Sequence, residues 1–213
     1  MFIKTIKGGH DRNFSYILVD RTTNKAAVID PIKNNQELIN EIKKYNVKFI
    51  INTHSHIDHI EGNEELKSLT GAKIIQHKLS NVKHDISIKD NQEIKLGHLT
   101  IKFLHTPGHS KDHICVWVED NLFTGDLLFV EKIGGTGPFF KGSNPEEQFE
   151  SLHKIMKLPE NIEIFPGHDY GIKLSSTIKH EKETNPFLLC KTFKDFQFLK
   201  DNWLKYKKEH NIK

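Results

Sequence analysis

Cysteine is scarce in this chain. Only Cys115 and Cys190 occur among 213 residues, with no CxxC spacing, which excludes a disulfide framework. Cys115 lies in the apolar run ICVWV and reads as core. Long hydrophobic runs are also missing. No stretch is long enough to cross a bilayer, and the N-terminal MFIKTIKGGHDRNFS has no apolar signal region, so a cytoplasmic location and no membrane partner are expected. The net charge is only +3. It comes from scattered lysines, without the arginine-rich stripe or aromatic–basic interleaving that tracks nucleic acid, and no nucleic-acid partner is expected. Repeats, low-complexity segments and linkers are absent. The expectation is therefore a single domain over 1–213, with a short helical tail (about 172–213) packed on it. Hydrophobic residues at 36% and charged residues at 28% are ordinary for a globular protein of this size, which needs no covalent staples. Oligomeric state is left open.

What is present is a strand-rich chain in two halves. FSYILVD (14–20), KAAVID (25–30) and VKFIIN (47–52) are apolar strand-like runs. NNQELINEIKKY (34–45) places Leu38, Ile39 and Ile42 on one helical face. IEGNEELKSLTG (60–71) reads as one helix ending at Gly71, followed by the strand AKIIQ (72–76). In the second half HLTIKFLH (98–105) alternates Leu99, Ile101 and Phe103 with polar residues. ICVWVED and NLFTGDLLFV continue the strands, PEEQFESLHKIMKL (145–158) is an amphipathic helix with Asn144 as N-cap, and IEIFPG (162–167) is a strand with a Pro-Gly stop. In the tail, Phe193, Phe196, Leu199, Trp203 and Tyr206 form an apolar stripe suited to docking on the core. Strands in both halves with helices beside them suit two sheets packed face to face with helices outside.

One stretch carries chemistry at unusual density: THSHIDHIEG, Thr53 to Gly62. Strand side chains alternate, so His54 and His56 can point the same way and share one ion. Asp58 and His59 come where the chain turns into a helix and can reach a second ion. Further single ligand-type residues follow apolar strands with sharp stops: His109 in HTPGHS, Asp126 in FTGDLL and His168 in FPGHDYG. His109 can complete the first group and His168 the second, while the carboxylate of Asp126 can bridge both. Imidazole and carboxylate suit Zn²⁺, Mn²⁺ or Fe²⁺, and a close pair of ions is a hydrolytic device. Fourteen histidines make clusters easier than usual, but not an HxHxDH block. For the lone His10, His77, His84, His98, His105, His113, His153, His180 and His210, surface or packing roles are expected.

Together THSHIDHIEG, TPGHS, TGDLLF and PGHDYG resemble the metallo-β-lactamase fold superfamily, over about Phe14 to Cys190. The resemblance implies an α/β fold, a four-layer αββα sandwich. It implies a first metal on His54, His56 and His109, a second on Asp58, His59 and His168, and Asp126 as bridge. Asp30 in VIDP is similar to the family's buried aspartate that supports the metal loop; as a bare sequence feature it equally suits a turn after a strand.

The branch follows from details. Zinc β-lactamases generally carry cysteine or serine where Asp126 stands, and the nuclease branch adds a large inserted domain. Asp126 instead resembles glyoxalase II and persulfide dioxygenase. The first implies a thiolesterase of the hydroxyacylglutathione hydrolase type, with hydroxide generated at two divalent ions, zinc foremost and iron or manganese as substitutes, and with Asp58 orienting it. The second implies a sulfur dioxygenase acting on a glutathione-type persulfide with a single iron, held through His54, His109 and Asp126. PFFKGS and GHDYG resemble the glyoxalase II substrate loop, making Tyr170 and Phe140 candidate contacts for a small thiol-derived substrate, although Pro138 stands where a basic residue is expected. The tail SSTIKHEKETNPFL resembles the dioxygenase, whereas the loop IGGTG (133–137) lacks that enzyme's arginine. Thioester hydrolysis is the first expectation and persulfide oxidation the second.

Overall fold

Alternating burial along the strands builds the layers. The computed structural model describes residues 1–212. Its first sheet contains β1 (Phe2–Gly8), β2 (Asn13–Asp20), β3 (Lys25–Ile29), β4 (Asn46–Ile51), β5 (Lys73–His77) and β6 (Ile86–Ile88), hydrogen-bonded in that order. The second contains β7 (Glu93–Leu96), β8 (Leu99–His105), β9 (Ile114–Val118) and β10 (Asn121–Gly125). After a small ribbon of β11 (Leu128–Phe129) and β12 (Lys132–Ile133), β13 (Glu163–Pro166) and β14 (Ser176–Thr177) complete it, in the order β14-β13-β10-β9-β8-β7.

All eight residues of β2 are buried, because both faces of that strand are covered. Phe14, Tyr16 and Leu18 meet Ile101, Phe103, Val116 and Phe123 of the second sheet in a central core. Ile17 and Val19 point the other way, into a layer with α1 (Gln36–Ile42) and, beyond a one-turn helix α2 (Ile57–Ile60), α3 (Asn63–Thr70). On the outer face of the second sheet, Leu104, Cys115, Leu122 and Ile164 pack under α4 (Pro145–Ile155) and the tail helices α5 (Ile178–Thr184), α6 (Pro186–Leu189), α7 (Phe193–Asp201) and α8 (Trp203–Glu209). This is the four-layer αββα sandwich. Phe196 and Leu199 of the tail stripe are buried there, and Phe193, Trp203 and Tyr206 pack against them. None of the described helices is long and apolar enough to cross a membrane.

Two local features depart from the sequence reading. The span 60–71 is not one helix: α2 and α3 are separated at Gly62, whose N–H donates to the Pro31 carbonyl at 3.1 Å. A Cβ at Gly62 would stand 2.5 Å from that oxygen, so the close approach of two backbones breaks the helix. Gly71 ends α3 in the left-handed region, φ 69°, as expected of a C-terminal glycine. β1 carries no strand signal in the sequence, since six of its seven residues are only half-buried or exposed on a sheet edge.

Candidate metal centre

Strand direction explains why residues scattered along the chain meet. β3 and β4 are parallel, so their C-terminal ends deliver Asp30 and the loop Asn52–His54 to one sheet edge. In the second sheet β10 and β13 are parallel, and β8 runs the same way because β9 is antiparallel to both β8 and β10. The C-terminal ends of β8, β10 and β13 therefore deliver His109, Asp126 and His168 to a common edge, and α2 adds Asp58 and His59. Loops on a rigid scaffold are where such sites are built.

Six of the seven side chains form two trios. His54 Nε2 and His109 Nε2 each lie 3.0 Å from His56 Nδ1. His59 Nε2 lies 3.2 Å from His168 Nε2, and Asp58 Oδ2 is 3.5 and 3.4 Å from these two. Asp126 stands between the trios. Its Oδ2 is 3.6 Å from His109 Nε2 and 3.3 Å from His168 Nε2, and its Oδ1 is 3.4 Å from His59 Nε2.

Hydrogen bonds behind the rings set the tautomers. Thr53 Oγ1 donates to Asp30 Oδ2 (2.7 Å), so it accepts from His54 Nδ1 (3.0 Å). His109 Nδ1 donates to the Gly135 carbonyl (2.7 Å), His59 Nδ1 to Asp30 Oδ2 (2.9 Å) and His168 Nδ1 to the Asp11 carbonyl (2.8 Å). Four rings therefore direct Nε2 inward, and His56 directs Nδ1. Such outward donation is what orients metal-binding histidines. Inward-facing nitrogens about 3 Å apart cannot all satisfy one another, and the buried Asp126 Oδ1 has no hydrogen-bond partner among the described residues. The donor set fits divalent cations, and any such ion would resolve both conflicts.

The charges differ between the trios. Burial lowers the pKa of His54, His56 and His109, the last to about 4, so these rings are neutral at pH 7 and their inward nitrogens can donate a lone pair. Burial acts the same way on His59 and His168, but Asp126, and for His59 also Asp30, outweighs it and raises both. Burial alone would raise Asp126; His59 and His168 reverse that and hold its carboxyl well below the carboxylate range.

Asp30 is both turn residue and brace. It adopts φ 48° after β3, a region aspartate tolerates. Its carboxylate accepts from Thr53 N (2.8 Å), Thr53 Oγ1 and His59. Gly125 has φ 47°, and a Cβ there would stand 2.6 Å from Thr53 Oγ1 and 2.8 Å from His113 Nε2, so the TGD turn requires glycine. A buried amide cluster of Asn52, Asn63 and Gln76 holds the His59 carbonyl and anchors α2.

The trios open onto a cavity of about 520 Å³ walled by Ile57, Phe129, Phe139, Phe140 and Tyr170. Phe140 lies 5.1 Å from the His109 ring and 6.1 Å from His56. Tyr170 stacks on His168 (4.7 Å, 6°), and its hydroxyl donates to Asp11 Oδ2. Tyr170 thus presents its ring edge, not a free phenol. Asp11 and Asn13, which hydrogen-bond to His168 and Asp58, have no signal in the sequence. His113, expected to pack, lies buried 5.3 Å from the His54 ring with Nδ1 on Thr106 Oγ1. His10 lines the cavity.

The family model of the metallo-beta-lactamase superfamily matches residues 9–168, from the β1–β2 turn to the last histidine of the cluster. The chain belongs to that superfamily. It is similar to hydroxyacylglutathione hydrolase of Pelagibacter ubique, 35% identical over 89% of this chain and 93% of the relative. It is also similar to mitochondrial persulfide dioxygenase ETHE1 of Homo sapiens, 33% identical over 84% of this chain and 74% of the relative. Among solved structures it resembles ETHE1 from Myxococcus xanthus, with TM-score 0.87, 27% identity, and coverage of 95% of this chain and 91% of that one. These relatives are enzymes of the glyoxalase II and ETHE1 branch, and the chain is an enzyme of that branch. The His/Asp cluster and the family together indicate divalent-metal binding.

Proposed function

We propose that this chain is a dinuclear metallo-hydrolase of thioesters carried on a small thiol. The observation that carries the reading is the position of Asp126, whose single carboxylate reaches His109 of one trio and both His59 and His168 of the other. His54, His56 and His109 would hold one ion, Asp58, His59 and His168 the other, and Asp126 both, with zinc foremost and iron or manganese as substitutes. When bound, such ions act as Lewis acids on a carbonyl oxygen and lower the pKa of a coordinated water toward ~7.

The residues of the chain do the rest. The Asp58 side chain is 31% exposed, against 1% for His59 and His109 and 2% for His168. It therefore reaches the cavity and can accept a hydrogen bond from the attacking water. The neutral first trio gives a ligand set that needs no deprotonation at pH 7. Phe129, Phe140 and the Tyr170 ring line the cavity and would give the acyl and thiol chains an apolar wall. Water adds to the thioester carbonyl, the C–S bond breaks, and the acid and thiol are released. A thiol of pKa ~8.5 leaves as thiolate with little need for a general acid. Similarity to the hydroxyacylglutathione hydrolase of Pelagibacter supports a glutathione-type thioester.

A second reading is supported by the 0.87 TM-score to ETHE1 of Myxococcus xanthus, which extends over 95% of this chain. It is persulfide dioxygenation with one iron on His54, His109 and Asp126. A panel of thioesters, scored by thiol release, beside oxygen uptake on a glutathione persulfide separates the two. Thiol release without oxygen uptake is expected; oxygen uptake with no thioester turnover would overturn the hydrolase reading.

A further inference from the structure

Asp58 sits on a helix of one turn and is the most exposed carboxylate of the cluster, yet its Oδ2 faces His59 and His168. What keeps it there is Asn13, which donates from Nδ2 to that same oxygen at 2.9 Å. Asn13 itself is fixed. It is 1% exposed, opens β2, and pairs across to Gly8 of β1. Its backbone forms an isolated antiparallel bridge with His168. On either side of it, Asp11 O takes the His168 Nδ1–H and Phe14 N donates to the Gly167 carbonyl (2.8 Å). The β1–β2 turn therefore holds His168 with its backbone and Asp58 with one side chain, joining two ligands that come from opposite halves of the fold.

We infer that Asn13 is a positioning residue for the second ion: it sets the Asp58 carboxylate toward His59 and His168, and so governs the affinity of that position while leaving the first trio alone. Among the described residues, none of the hydrogen bonds of His54, His56 or His109 comes from the 9–13 turn: Thr53 holds His54 and the Gly135 carbonyl holds His109, while the His56 ring nitrogen meets those two rings. This rests on the two-ion reading of the site. Loss of an outer hydrogen bond of this type weakens metal affinity about 10–100-fold. Asn13→Ala removes the donor, and Asn13→Asp keeps the shape while turning a carboxylate against Asp58.

The experiment is a Co²⁺ titration of the chelator-treated full chain, followed by calorimetry and by visible absorption, on wild type and both variants. Two binding events are expected in the wild type. In the variants the first should be unchanged and the second weaker by about 10–100-fold, more so for Asn13→Asp. A wild type with two events whose variants keep both affinities overturns the inference alone. Equal weakening of both events also overturns it, because Asn13 would then be a general structural residue. A wild type that takes one ion at saturating Co²⁺ overturns the two-ion reading and this inference together.

Discussion

The Nε2 atoms of His59 and His168 face each other across 3.2 Å although 109 residues separate them in the chain. Each ring donates its other nitrogen outward, to Asp30 and to the Asp11 carbonyl. The carboxylates around them raise both pKa values despite burial, which favours the protonated rings over the neutral ones. Metal uptake by this trio should release protons, and its affinity should rise as pH rises, since a divalent ion needs the neutral rings. The first trio, whose pKa values are lowered, should bind with little proton release above neutral pH. Calorimetry in buffers of different ionisation enthalpy checks this: proton release should belong to the second binding event.

Asp58→Ala should remove the second ion and lower kcat by about 100-fold or more, since removing one positioned general base or ligand costs about 10²–10⁴. Asp30→Ala leaves Thr53 and His59 without their acceptor, and should weaken metal binding about 10–100-fold with the ligands intact. Metal content after dialysis, measured beside kcat, distinguishes the two.

Phe140 walls the cavity beside His109 and His56. Phe140→Ala should raise KM by roughly tenfold through lost apolar contact of ~1–2 kcal/mol, with a smaller change in kcat. Tyr170→Phe removes a hydroxyl already engaged by Asp11, and should change KM less than Phe140→Ala does. Steady-state kinetics on the best thioester tests both.

Acid sensitivity should have a contribution away from the metal centre. His77, buried at the end of β5, stacks on His105 with centroids 4.0 Å apart. Burial, then the charge of His105, lowers its pKa to about 4. The unfolded chain, with an ordinary histidine pKa near ~6.5, takes up the proton first. The stability contributed by neutral His77 is therefore complete above about pH 6.5 and is lost as pH falls toward 4. Between pH 7 and 5, wild type should lose about 1–2 kcal/mol more than His77→Phe, measured by urea unfolding at each pH.

The clustering of His109, Asp126 and His168 is legible in sequence because each follows a short apolar strand closed by a sharp stop, as in FLHTPGH, LFTGD and IFPGH. Such stops mark strand ends, and strand ends share an edge. The four layers were legible for a related reason: alternation along Leu99–Phe103 and full burial of 14–20 are local patterns. The supports of the site were not legible. Asp11 meets His168 across 157 positions and Asn13 meets Asp58 across 45. The first contact depends on how the β1–β2 turn lies against the far half of the chain, and the second on how it lies against α2. The break at Gly62 was hidden likewise, because it comes from the Pro31 backbone rather than from the helix itself.

The most direct measurement is the number and identity of metal ions in native protein, determined by mass spectrometry on chain purified without added metal or oxygen. A dinuclear hydrolase should carry about two divalent ions per chain, and the count should fall to about one in Asp58→Ala. One iron per chain, unchanged in Asp58→Ala and His168→Ala, would contradict it.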